Sequence, residues 1–92
     1  MRIEIESAQT RKDADDGTVA NVRFRVAGHP KPYEITLFSK SGRDWEYGLH
    51  FAEESGSEEL IDEVEAYLEE DDAAFRRLVD AALAAEGSAG KA

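Results

Sequence analysis

The chain has 92 residues, no cysteine, a net charge of −10 and 35% charged residues. This length predicts one domain, and the absence of thiols excludes disulfides, cysteine nucleophiles and cysteine-based zinc sites. The acidic balance argues against binding to nucleic acids or anionic membranes, and no apolar stretch approaches the roughly 20 residues of a transmembrane helix. Glutamates alternate with isoleucines at the N-terminus, where a signal peptide would need an apolar run, so we expect a cytoplasmic protein.

Alternating apolar and polar residues predict four strands in the first half of the chain. Residues 9–17 are polar and predict a loop between the first two strands, and the short connections favour antiparallel hairpins. One face of the predicted sheet is apolar and consists of Ile3, Ile5, Val22, Phe24, Val26, Tyr33, Ile35, Leu37, Trp45, Tyr47, Leu49 and Phe51.

The hydrophobic period then changes from two to 3.6, which predicts two amphipathic helices. Either Ser55 or Ser57 is suited to cap the first helix, and either Asp71 or Asp72 the second. The apolar stripe of the first helix is Leu60, Ile61, Val64, Tyr67 and Leu68, and that of the second is Ala74, Phe75, Leu78, Val79, Ala82 and Leu83. Gly87 is the predicted end of the second helix, and residues 88–92 are predicted to form a flexible tail.

These elements predict an α+β fold: a four-stranded antiparallel meander, ββββαα, with both helices packed on one face as a two-layer sandwich over residues 1–87. Four strands span about 19 Å and two helices cover about 20 Å, so the helices cover one face of the sheet. Six residues are expected to be buried together: Phe24, Trp45, Leu49, Leu60, Val64 and Phe75. The open face then carries Arg23 and Arg25 between strands that bear glutamates, which favours the sequential strand order.

All of the excess charge lies in the second part of the chain. Residues 1–50 carry eight Lys and Arg against eight Asp and Glu, whereas residues 51–92 carry three against thirteen. Nine of these acids fall within residues 58–72, where mutual repulsion should raise the pKa of some carboxyls. We therefore expect a non-catalytic interaction or inhibitor module that docks a basic protein partner. The predicted contact residues are Glu58, Glu59, Asp62, Glu63, Glu65, Glu69 and, on the open sheet face, Phe38.

Two other functions remain open at this point. A homodimer could form through the edge of the fourth strand, where Gly48 suggests a bulge, or through the open face around Phe38. Alternatively, a cleft near His50, with Glu53, Glu54 and Trp45, could serve a small-ligand or metal-binding enzyme.

No cofactor, metal or catalytic site is predicted. The run Asp13, Asp15, Asp16 and Gly17 resembles the start of a calcium loop, but an EF-hand would need a ligand where Gly17 stands. The aromatic residues of the strands are expected to form the core and not a platform for stacking bases, because the helices need an apolar face.

Overall fold

In the computed structural model, which describes residues 1–13, 17–41 and 44–89, four strands are followed by two helices. The elements are β1 Ile3–Asp13, β2 Gly17–Val26, β3 Tyr33–Ser39, β4 Glu46–Phe51, α1 Glu58–Glu70 and α2 Asp72–Ala89. The strands form one antiparallel sheet in the order β1-β2-β3-β4, with the helices packed on it. The predicted α+β meander is confirmed.

The hydrophobic core lies between the sheet and the helices. Phe24, Ile35, Leu37, Val64 and Leu78 are fully buried there. Trp45, just before β4, and the β4 residues Tyr47, Leu49 and Phe51 were expected to be buried as deeply. They are only half-buried, as are Leu60 and Phe75. The reason is that α2 packs on β1 and β2, which leaves α1 to cover β4, and β4 lies at the edge of the sheet.

The first strand is longer than predicted, since residues 9–13 pair with β2 instead of forming a loop. The register shifts between Ile5 and Ser7, which leaves Glu6 as the extra residue of a β-bulge. Beyond the bulge Ala8 packs against the core, and the Thr10 hydroxyl donates a hydrogen bond to the carbonyl of Ala82 in α2 at 2.6 Å. The bulge thus turns small and polar residues towards the helices and extends the sheet. Asp15 and Asp16 lie outside the described residues.

Two glycines of the sheet differ in what they require. Gly17 has a φ of 88°, and a Cβ at this position would lie 2.3 Å from the carbonyl oxygen of Ser39, so only glycine fits. Gly48, in contrast, pairs with Thr36 in a continuous register, and a Cβ there would meet nothing within 4 Å. The bulge that Gly48 suggested is therefore absent, and β4 is a regular edge strand.

The helix caps agree with the sequence. Ser57 caps α1 by accepting a hydrogen bond from the Leu60 N–H at 3.3 Å. Asp71 serves both helices: its N–H donates to the Tyr67 carbonyl at 2.9 Å, and its carboxylate accepts from the Ala74 N–H at 3.1 Å. One residue therefore ends α1 and starts α2.

The second helix departs from the prediction in two ways. Leu83, which was assigned to its buried stripe, is 45% exposed. The helix also continues to Ala89, two residues past Gly87. Neither helix, over the residues described, is both long and apolar enough to cross a lipid bilayer.

Candidate partner-binding site

The outer surface of α1 is acidic because its apolar stripe, Ile61, Val64 and Leu68, is turned into the core. All six acids predicted to contact a partner are exposed: Glu58, Glu59, Asp62, Glu63, Glu65 and Glu69. Within the described part of the chain, none of the six forms an ion pair with a lysine, arginine or histidine. Their charge is therefore directed to solvent.

Four of these acids form one line along the helix. Glu58, Asp62, Glu65 and Glu69 follow one another at spacings of four, three and four residues, which places them on the same face. The line ends beside β4, where the Tyr47 hydroxyl donates a hydrogen bond to Glu69 Oε1 at 3.1 Å. We call these four residues the acidic line.

The contact with the end of the acidic line also affects the titration of Tyr47. Burial raises the pKa of Tyr47 to about 12, with further contributions from the hydrogen bond to Glu69 and from the negative charges of Glu69 and Glu65. Asp71, at the end of the acidic run, departs from the expected pattern, because the Ala74 N–H lowers the pKa of its carboxyl. The capping bond therefore lowers this pKa, where the sequence predicts that repulsion would raise it.

A groove with a volume of about 690 Å³ lies between α2 and the start of β4. Its apolar floor consists of Trp45, Phe75, Val79 and Leu83, and its rim carries Asp44, Asp72, Arg76 and Asp80. Arg76 Nε lies 3.7 Å from Asp80 Oδ1, so the cation that the described residues place on the rim is already offset by a neighbouring carboxylate. The groove therefore combines an apolar floor with a net negative rim.

The acidic line and the groove adjoin each other. The ring of Tyr47, whose hydroxyl bonds Glu69, packs against Phe75 with 5.4 Å between the ring centroids. Phe75 in turn lines the groove. A partner that contacts the last turn of α1 is therefore within one side chain of an apolar pocket.

Phe38 does not belong to this site. Its neighbours Leu37 and Ser39 point towards the helices and are buried, so Phe38 points to the open face of the sheet, where it is half-buried beside Val19 and Glu46. The sheet separates it from the acids of α1. The sequence predicted Phe38 on the open face, and the structure places it there, so the two groups of predicted contact residues lie on opposite sides of the molecule.

Glu6, Arg23 and Arg25 form one network of paired charges on the open face. Glu6 accepts hydrogen bonds from Arg23 Nε at 3.1 Å and from Arg25 Nε at 2.8 Å, and the latter bond is the main reason why its pKa is lowered. Arg23 also donates to Glu53, which together with Glu6 raises the pKa of the guanidinium. The bulge at Glu6 brings one carboxylate within reach of two arginines.

The residues considered for an enzymatic cleft are not assembled into one site. His50 Nε2 lies 3.1 Å from Glu34 Oε2, Glu53 binds Arg23, and Glu54 accepts from Lys31 Nζ at 3.0 Å. Trp45 points towards the helix side, whereas His50 lies on the open face. In the described ranges, no group of three or more His, Asp or Glu residues is placed to hold a metal ion.

The groove is the feature that sequence reasoning missed. Trp45, Phe75 and Leu83 all fit the apolar periodicity and were assigned to the core. The available signal was the three aspartates that accompany them, Asp44, Asp72 and Asp80, since acids next to apolar positions mark a boundary with solvent.

Comparisons of the chain with protein-family models, with curated proteins and with solved structures found no match. The fold defines a two-layer α+β protein, and its function has to be inferred from its own surfaces.

Proposed function

We propose that this protein is a non-catalytic cytoplasmic interaction module that binds a basic, amphipathic segment of a partner protein. The observation that carries the proposal is the junction between the acidic line and the groove. Acids that lack cations of their own attract a basic partner at long range, and an apolar pocket next to them provides a short-range anchor. Acting as an inhibitor would follow if the bound segment were the functional surface of its partner.

The two parts contribute differently to binding. The acidic line steers the approach and raises the association rate, an effect that salt weakens. The groove determines the dissociation rate, because an apolar side chain seated on Trp45 and Leu83 leaves water when it binds. A groove of about 690 Å³ lies within the usual range of ligand pockets, about 300–1,000 Å³, and accommodates a few side chains.

The single tryptophan offers a direct measurement, because Trp45 lies in the groove. We would titrate the protein with a tryptophan-free amphipathic helix of leucine and lysine, and follow Trp45 fluorescence at low and high salt. The control peptide has the same composition in an order that removes the apolar face. Only the amphipathic peptide should shift the emission to shorter wavelength, with an affinity that falls as salt rises.

Two pairs of substitutions with the same charge change separate a site from a general charge effect. Asp62→Asn with Glu65→Gln neutralises two of the four residues of the acidic line, and Glu4→Gln with Glu46→Gln neutralises two exposed acids of the sheet. The first pair should weaken binding several-fold more than the second. Leu83→Ser should increase the dissociation rate at every salt concentration. Equal losses from both pairs, or an unchanged Trp45 signal, would contradict the proposal.

A further inference from the structure

The open face of the sheet has an order of side chains that can be read from the strand register. One row across the strands is Arg11, Val19, Phe38 and Glu46, which we call the Phe38 row. The next is the Thr36 row, Gln9, Asn21, Thr36 and Gly48, and the third is the Glu34 row, Ser7, Arg23, Glu34 and His50. The Phe38 row is basic at β1, apolar in the middle and acidic at β4.

We propose that the open face binds a second copy of this chain, sheet against sheet, around a two-fold axis that runs parallel to the strands between β2 and β3. Such an axis places β1 of each protomer opposite β4 of its partner, and β2 opposite β3. In the Phe38 row, Arg11 then faces the partner's Glu46, and Val19 faces the partner's Phe38. Symmetry repeats each contact, so the dimer gains two of each.

The shapes of the rows agree with this arrangement. In the Thr36 row, Gln9 faces the partner's Gly48, above which the face is open, since a Cβ at Gly48 would meet nothing within 4 Å. A long side chain of one protomer thus meets a gap in the other. Gly48 has no positive φ, so its backbone does not require glycine, and the space above it is what the residue provides.

The charged side chains of the third row already have partners within their own protomer. Arg23 is bound to Glu6 and Glu53, and Glu34 is bound to His50. Burying a charge is costly unless it is paired, and here the pairs exist before the second copy arrives. These existing bonds lower the cost of covering the third row.

The acidic helices do not prevent this contact. Sheets pack about 10 Å apart and each helix layer lies about 10 Å behind its sheet, so the two helix layers are about 30 Å from each other. The screening length is about 8 Å at physiological salt, so their repulsion is largely screened. The open face of the sheet measures about 19 Å by about 20 Å. The area that each protomer can bury is therefore below the roughly 800 Å² per partner of a standard interface. We therefore expect a weak dimer with a Kd in the micromolar range.

Charge reversal tests the assignment by sedimentation equilibrium in physiological salt, with protein up to several hundred micromolar. Arg11→Glu and Glu46→Arg should each raise the dimer Kd about tenfold, and the double variant should return it to within about threefold of the original protein. Glu70→Arg, the same charge change on α1, is the matched control and should leave the Kd unchanged. Phe38→Asp should abolish the dimer, and circular dichroism would verify that each variant is folded.

Cross-linking provides a second measurement, because the chain has no cysteine of its own. A mixture of Gln9→Cys and Gly48→Cys proteins should join through a short bifunctional maleimide. Gln9→Cys protein alone should not, because its two cysteines would lie about 14 Å apart across the strands. A protein that is monomeric at all concentrations overturns the proposal. A dimer that Arg11→Glu leaves intact also overturns it, and this is the result expected if the chains pair through the edge of β4.

Discussion

The two sides of this molecule carry charge in different ways. On the sheet side, Glu6, Arg23 and Arg25 are bound to neighbours of opposite sign, and Glu34 is hydrogen-bonded to His50. On the helix side, the acids of α1 point to solvent with no cation among the described residues bound to them. Charges that the fold pairs contribute to its stability, whereas those that it leaves exposed repel one another. The proposed partner contact therefore uses the side whose charge the fold leaves exposed.

Two phenylalanines on adjacent strands give the largest contrast between the two sides. Phe24 points to the helices and is fully buried, whereas Phe38 is half-buried on the open face. Phe24→Ala should cost about 3–5 kcal/mol of unfolding free energy, because it leaves a cavity in the core. Phe38→Ala should cost about 1 kcal/mol or less. Chemical denaturation of both variants measures the difference, and equal losses would contradict the placement of the core.

Alkali should destabilise the protein through its tyrosines. The pKa of Tyr47 is raised to about 12, and burial also raises the pKa of Tyr33. The hydrogen bond to Asp71 raises that of Tyr67. Tyrosines of the unfolded chain titrate near pH 10, so the folded state holds these protons more tightly than the unfolded state does. This contribution to stability is present below pH 10 and is lost as the pH rises through 12.

Ultraviolet titration of the phenols, together with melting temperatures between pH 8 and pH 12, would test this expectation. Glu69→Gln removes a charge next to Tyr47 and should lower the pKa of that tyrosine. Glu59→Gln, on another face of α1, is the matched control. If all three tyrosines titrate together near pH 10, the fold does not raise their pKa values and the expectation is wrong.

Neutralising acids should have opposite effects on the two sides. Asp62→Asn with Glu65→Gln removes two like-charge pairs at four-residue spacing, Glu58–Asp62 and Glu65–Glu69. Each pair is worth about 0.2–0.5 kcal/mol, so the double variant should be more stable by less than about 1 kcal/mol. Glu6→Gln, on the sheet side, should be less stable than the original protein. Shifts of the same sign in urea denaturation would refute the contrast.

The smallest expected effect is on acid stability. Hydrogen bonding to Arg25 lowers the pKa of Glu6 below its ordinary 4.5. A carboxyl with a lowered folded pKa contributes stability that is present above the unfolded value and is lost as pH falls through the folded one. Unfolding midpoints measured from pH 6 down to pH 3 should therefore fall less steeply for Glu6→Gln than for the original protein. Glu4→Gln, two residues earlier in β1, should leave the slope unchanged.

Much of the fold could be predicted because it depends on local periodicity. The alternation around Val22, Phe24 and Ile35 specified the strands, and the switch after Ser57 specified the helices. What periodicity does not contain is a break in register. The bulge at Glu6 reverses the facing of every later residue in β1, so Ala8 and Thr10 reach the core although the residues around them are polar.

The site was only partly predictable for a related reason. The acids of α1 are exposed as expected, since a helix with an apolar stripe turned inward must expose the rest. The apolar stripe of α2 does not reveal which of its residues the sheet reaches, so Leu83 was assigned to the core although it borders the groove. The position of Phe38 on the open face was predictable, because it follows from the same alternation that places Leu37 in the core.

The bonds between β1 and α2 join the two ends of the chain. The Thr10 hydroxyl binds the Ala82 carbonyl, 72 positions away, and Arg77 Nη2 donates to the Ile3 carbonyl at 3.3 Å, 74 positions away. During synthesis the first strand therefore emerges long before the helix that covers it. Contacts at such separation form late and slow folding. A nascent chain that stops before α2 leaves β1 uncovered, so we expect the protein to reach its protease-resistant state only after α2 has left the ribosome.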